Sequence, residues 1–486
     1  MIIFPQLSYF VFLAVVVLVY WRLNHRSQNV FFLLCSYIFY ATWDWRFLSL
    51  IIGSAGVVYF TALRLSPAKD GGHRDLYLYF NIIWNLGLLC YFKYMNFFIK
   101  SLDPIFASLH INANHLHLNI ILPLGISFFT FELLSYTFDV YRGVIQPTRS
   151  FIDLSLFIAF FPKLIAGPIQ RATNLLVQIQ KERVFDGRHF MSGIDLIVWG
   201  LVKKLVIADN LAAILYMVFR FEKPSIGLLL AGGLGFGIQL YADFSAYTDF
   251  ARGSSRLLGF ELINNFNKPF LAKNVMDFWN RWHISLTSWM KDYLFLPLVF
   301  KLARLPLGLG YAIAVLVSWG CVGVWHGAEW KYLVWGIYYA VLIIGYQFVL
   351  KPVLDLFWKE NLFTNAMAIF VTWIVVTIGF LLIRIPSLGF LWMRVKDEIV
   401  RVGPEGHTRV QLASFADRDL VTVLLIGFLF YSIPLLCSLA WKWLQDRQQW
   451  DLYEFYGLRF FLYTLAGLIL MIFAGINQND FIYFRF

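Results

Sequence analysis

Apolar runs close to the length of a bilayer crossing recur along the chain, at Leu7–Trp21, Phe363–Ile383, Leu420–Ala440 and Arg459–Ile476. A transmembrane helix needs about 20 such residues, and the same criterion gives about a dozen candidate spans or part-spans. Composition agrees. Hydrophobic residues make up 60% of the 486 positions and charged residues only 14%, against roughly 45–50% and ~25% in soluble domains. A core of ordinary size cannot hide that excess, so lipid must cover it. The chain reads as an all-α polytopic membrane protein. Its first apolar run lacks a basic start and a small-residue cleavage site, so it is expected to be a retained span and not a signal peptide. Cys35, Cys90, Cys321 and Cys437 are scattered through apolar surroundings and show neither metal spacing nor a disulfide framework.

The net charge of +11 points first to cytoplasmic loops and not to nucleic acid. Arg22 and Arg26 follow the first span, Arg64, Lys69 and Arg74 follow the third, and the loop Lys93–Asn119 is sparse in charge. That alternation predicts an external N-terminus. It places Lys351–Glu360 and Lys442–Arg459 inside, and Ile385–Asp419 and the last residues outside.

No repeat or soluble domain interrupts the chain, which is read as one integral membrane domain over 1–486. Residues 1–92 form four clean spans, 332–476 form the C-terminal spans, and 477–486 form an aromatic tail. Between them, residues 123–327 carry polar, charged, Gly and Pro residues at high density inside apolar segments. A charge at mid-bilayer costs about 2.5–3.5 kcal/mol or more. Broken backbone is tolerated at that depth only where protein or a water-filled cavity satisfies it. The central region is therefore expected to enclose a site with short or re-entrant helices.

Four segments carry the polar groups. Leu122–Arg142 starts with Pro123 and Gly125 and places Ser127, Thr130, Glu132 and Asp139 among aromatics. Phe161–Arg171 has two prolines, a glycine and Lys163. Gln239–Arg252 holds Asp243 and Asp249, for which structural ion pairing is the default reading, and it is followed by Asn264, Asn265 and Asn267. Asp277–Leu294 combines three tryptophans, acids, bases and His283, which suits an interfacial or re-entrant helix. Beyond them, His326 follows Trp325 at the end of an apolar stretch. Imidazole is the side chain whose ordinary pKa lets it accept and return protons near neutrality. A lone buried histidine is more often structural, but two of them in unusually polar intramembrane segments suggest group transfer, with one acting as base on a hydroxyl. There is no nucleotide-binding glycine loop, no clustered metal ligands and no nucleophile-elbow motif. The residues alone leave open an intramembrane enzyme or a transporter.

These segments, with Trp325-His326-Gly327 and Tyr91–Phe97, resemble the membrane-bound O-acyltransferase family. The likeness is strongest to its bacterial polysaccharide branch, which includes the alginate O-acetylation membrane proteins. The resemblance implies a ring of helices around a thin central funnel, through which a cytoplasmic acyl donor meets an acceptor from the other side. It maps the family's invariant histidine onto His326 and its second onto His283. Asn264, Asn265, Asn267, Asp243 and Trp325 become candidates for lining the channel. The run Cys321–Val324 departs from the glycines and leucine common in relatives, which alters packing beside His326 and leaves the histidine in place.

The implied activity is O-acetyl transfer to an exported polysaccharide at the inner membrane. Acetyl-CoA is the implied donor, and no permanently bound cofactor or metal is expected. Family members usually work with an extracytoplasmic acyltransferase of the SGNH or a similar type, for which the external loop Ile385–Asp419 is a candidate docking surface. The competing readings are a D-alanyl transferase of the teichoic-acid type and a transporter without covalent chemistry. Transporters often show paired half-repeats, which are absent here. The tail Phe481–Phe486 has four aromatics in six positions. It suits either an interface anchor or, by resemblance to the small protein that accompanies D-alanyl transferases, an acyl relay through Tyr483.

Overall fold

The computed structural model describes residues 4–65, 73–110, 118–220, 224–306, 308–357, 359–401 and 456–473. Among them every regular element is helical, apart from an isolated antiparallel bridge between Phe266 and Trp282. Among the described residues, six helices are long and apolar enough to cross a membrane: His25–Leu65, Arg74–Ser108, Ile226–Leu257, Leu309–His326, Trp330–Phe357 and Leu362–Arg384. Leu7–Tyr20 and Phe460–Met471 are shorter apolar helices. The all-α polytopic architecture expected from the sequence is thus present. The expected span Leu420–Ala440, the outer part of Ile385–Asp419 and the tail 477–486 lie outside the described residues.

The first helix shows why lipid is the solvent. Tyr9, Leu13, Val16 and Tyr20 are buried along one face, while Leu7, Val11, Val15 and Leu18 on the other are 77%, 56%, 56% and 63% exposed. A helix that is apolar all round belongs in a large core or a membrane, and here only half of it meets protein.

Two sequence expectations need correction. Lys93–Asn119 is not a loop from its start, because the helix of the fourth span continues through Lys93 to Ser108. A π-helical turn at Cys90–Tyr94 lets Lys93 point into protein without ending the helix. Within Ile385–Asp419, residues Leu388–Arg401 are also helical.

The chain divides into two compact units. The first comprises Met1–Ile197, Tyr247–Asn267 and Asn280–Glu329. In it, Leu48–Leu65 packs against Arg74–Leu89, and both pack against Ile126–Tyr141. The face of Leu48–Leu65 that does so repeats at helical spacing, through Ile51, Ala55, Val58, Ala62 and Leu65, all buried. His25–Asp44 packs on Phe151–Ala159. The broken segment after Ala159 is buried throughout Phe160–Gln170. Gly125, at φ +73°, starts Ile126–Tyr141 in a left-handed turn, and any Cβ there would strike the carbonyl of Leu164.

The second unit comprises Val198–Ala246, Lys268–Trp279 and the chain from Trp330. Trp330–Gly345 packs on Leu362–Arg384, where Gly379 leaves room for the Tyr339 hydroxyl. Tyr456–Phe473 packs on the π-helical segment Val202–Ala208.

Candidate active site around His326 and His283

His326 is the last residue of Leu309–His326, a helix that ends because Gly327 turns to extended backbone at φ −169°. Its final carbonyls need partners, and the first unit supplies them from the π-helical turn of Cys90–Tyr94. The Tyr94 hydroxyl donates to the Val324 carbonyl at 3.0 Å, and the Lys93 ammonium donates to the Trp325 carbonyl at 2.5 Å. That ammonium also lies 5.6 Å from the Trp325 ring centroid. π-Helical turns of this kind concentrate at functional sites.

His283 is held differently. It separates two short helical pieces and takes the left-handed conformation at φ +47°, ψ +49°. A non-glycine residue held there costs on the order of 1–3 kcal/mol, and such strain persists only where the surroundings over-determine it. The asparagine stretch does so. Asn265 Oδ1 accepts from the Ser285 amide at 3.1 Å and the Ser285 hydroxyl at 2.9 Å. The Asn265 carbonyl accepts from the Ile284 amide at 3.0 Å, and the Asn267 amide donates to the Arg281 carbonyl at 2.9 Å. Asn264 donates its side-chain amide to the Phe266 carbonyl at 2.7 Å.

These two supports bring the histidines together, with ring centroids 6.5 Å apart. Both are buried, His283 at 0% and His326 at 7% exposure. Trp325 sits against both, 5.8 Å from His283 and 5.0 Å from His326. Phe131 stacks on Trp325 at 5.7 Å and on Trp289 at 4.2 Å. Among the described residues, the buried Trp325 Nε1 and Asn265 Nδ2 have no hydrogen-bond partner. A buried donor left unmade costs roughly 1–3 kcal/mol, so two of them beside the histidines suit a ligand that brings acceptor oxygens.

A buried ion pair underlies the aromatic wall. Glu132, one residue beyond Phe131, pairs with Lys163, and its second oxygen accepts from the Gln170 amide at 2.9 Å. It fastens the broken segment Phe161–Gln170 to Ile126–Tyr141. Asp139 accepts from the Tyr293 hydroxyl at 2.8 Å in the same unit. Asp243 belongs to the second unit, where it and Asp209 each pair with the buried Lys204 at 3.0 Å, the ion pairing expected of it by default. Arg252 pairs with Glu261 at 2.7 Å. Tyr483 lies outside the described residues.

The sequence singles out Tyr91–Phe97 but assigns no role to Lys93 or Tyr94, and it does not join Glu132 to Lys163. A signal exists in both cases, as a charge inside an apolar run with no neighbour at helical spacing to neutralise it.

A buried pair of histidines on broken helices, in a fold whose described elements are helical, is the candidate site, and comparison gives the class of the chain. Residues 144–388 match the model of the membrane-bound O-acyltransferase family, and the chain belongs to that family. It is a multi-pass inner-membrane acyltransferase. Its relatives include the probable alginate O-acetylase AlgI of Pseudomonas aeruginosa, 35% identical over 390 residues covering 79% of this chain and 72% of that protein. The peptidoglycan O-acetyltransferase of Helicobacter pylori is 34% identical over 369 residues, 69% of this chain and 68% of that one. The teichoic acid D-alanyltransferase of Bacillus subtilis is 33% identical over 303 residues, covering 58% of this chain and 75% of that protein.

Proposed function

We propose that the protein transfers an acetyl group from cytoplasmic acetyl-CoA towards a hydroxyl of an extracytoplasmic polysaccharide, with His326 as general base. The observation that carries this reading is the approach of two buried imidazoles to within 6.5 Å, with Trp325 against both. His326 takes the proton of the attacking hydroxyl, proposed to be the phenol of Tyr483, as its oxygen bonds to the thioester carbonyl. The carbon–sulfur bond then breaks, and the proton passes to the departing thiolate. Negative charge builds on the carbonyl oxygen between these steps. His283, the Trp325 indole N–H and the Asn265 amide N–H are the groups suited to stabilise it, because donors fixed in a dry site need no reorganisation. O-acetyl relatives that cover more than two thirds of this chain support acetyl as the group.

D-Alanyl transfer is the competing reading, favoured by the Bacillus relative. Cells expressing the protein are expected to incorporate labelled acetate, not labelled D-alanine, into alkali-labile envelope esters above the level of cells lacking it. The opposite labelling would assign the chain to D-alanyl transfer.

The acceptor side involves a separate extracytoplasmic transferase. Tyr483 is the group proposed to hand it the acetyl. A phenol of pKa about 10 needs a base to attack a thioester at neutral pH, and His326 fills that role. Tyr483→Phe keeps the ring and removes only the oxygen. Polysaccharide acetylation is expected to fall to background in that variant with protein level unchanged. Undiminished acetylation would leave the tail as an aromatic anchor and end the relay.

A further inference from the structure

The second unit contains a half-open cavity of about 980 Å³, walled by Trp330–Gly345, its π-helical continuation Tyr346–Leu350, and Leu362–Arg384. The walls are apolar and lie on membrane-crossing helices. Val341, Leu350, Met367 and Val371 line it, each between 41% and 58% exposed. Gly345 lies in the wall, and a Cβ there would meet nothing within 4 Å. The cavity therefore runs past bare backbone.

Polar groups join them at one part of the lining. Lys273 and Asn274 supply donors, and Asp355, Glu360 and Asn365 supply acceptors. Lys273 pairs with Glu360 at 3.2 Å and Lys351 with Asp355 at 2.6 Å, with all four side chains solvent-exposed. Exposed pairs of this kind hold weakly, typically at 0–1 kcal/mol, and yield readily to a ligand. Asn365 Oδ1 is buried without a hydrogen-bond partner among the described residues. It needs a donor, and two carboxylates share the cavity with it. The occupant that fits must bring an apolar tail, an anionic group for Lys273, and a cation carrying N–H bonds for Asp355, Glu360 and Asn365. A phosphocholine head has the cation but no N–H, and a phosphoglycerol head has no cation.

We propose that this cavity binds one phospholipid with a primary-ammonium headgroup, of the phosphatidylethanolamine kind. One acyl chain lies along the wall past Gly345, the phosphate meets Lys273, and the ammonium is held by Asp355, Glu360 and the Asn365 amide oxygen. The site is independent of the acetyl-transfer reading.

The test reconstitutes the full chain in nanodiscs of equal phosphatidylethanolamine, phosphatidylcholine and phosphatidylglycerol with matched acyl chains. Native mass spectrometry after release then reads the retained lipid. The wild type is expected to keep one phosphatidylethanolamine, about tenfold enriched over phosphatidylcholine, the worth of one charge-assisted hydrogen bond. Gly345→Leu fills the cavity while improving helix propensity, so folding is not at risk, and it is expected to lose the bound lipid. Asn365→Leu is expected to keep a lipid but lose the preference for ethanolamine. Equal retention of the three lipids by the wild type, no retained lipid, or unchanged phosphatidylethanolamine on Gly345→Leu would each overturn the proposal.

Discussion

His326→Ala is expected to insert and fold normally while acetyl transfer falls by about 10²–10⁴-fold, the usual contribution of a general base. Normal folding is expected because the helix end is fixed through its backbone: Tyr94 and Lys93 hold the carbonyls of Val324 and Trp325, and neither contact uses the imidazole. His283 needs a different substitution. Alanine is strained in the left-handed conformation that His283 occupies, whereas asparagine tolerates it. His283→Asn is expected to reach wild-type protein levels with strongly reduced transfer. Activity that falls only in proportion to lost protein would make His283 a packing residue. Transfer assays normalised to protein recovered by size-exclusion chromatography separate the two outcomes.

Lys163→Met is expected to lose about 3–5 kcal/mol of stability, because it leaves the Glu132 carboxylate buried without its cation. The double variant Glu132→Gln with Lys163→Met is expected to regain most of that loss. It removes both charges and keeps an acceptor for the Gln170 amide, which Glu132 now binds at 2.9 Å. Thermal unfolding of detergent-solubilised protein reads the effect. A single variant as stable as the wild type would show that the pair does not hold the broken segment in place.

The membrane architecture is legible in the sequence because spanning lengths and apolar runs are one-dimensional signals. Leu7–Tyr20, Leu309–His326 and Leu362–Arg384 lie where hydropathy puts them. The position of the candidate site is legible for a related reason. Charges, prolines and glycines inside apolar segments are costly, so Glu132, Lys163 and His283 mark an enclosed region by residue type alone. Their partners are not legible. Glu132 and Lys163 are 31 residues apart and Lys93 is 232 from Trp325, and no helical spacing relates groups so distant. The asparagine stretch reads as channel lining in the sequence, whereas Asn265 braces His283 with one side of its amide and leaves the other unpartnered. The continuation of the fourth span through Lys93 is hidden because a lysine in an apolar run looks like a span end. The π-helical turn that makes it an interior residue has no sequence signature of its own.

The most direct measurement of the central claim uses inverted inner-membrane vesicles from cells expressing the protein, with its cytoplasmic face outward. Labelled acetyl-CoA is supplied outside, and alkali-labile acetyl esters are counted in the lumen. The account predicts lumenal ester label with the wild-type chain and background label with His326→Ala. Lumenal label no higher than in vesicles lacking the protein, or equal label with His326→Ala, would contradict it.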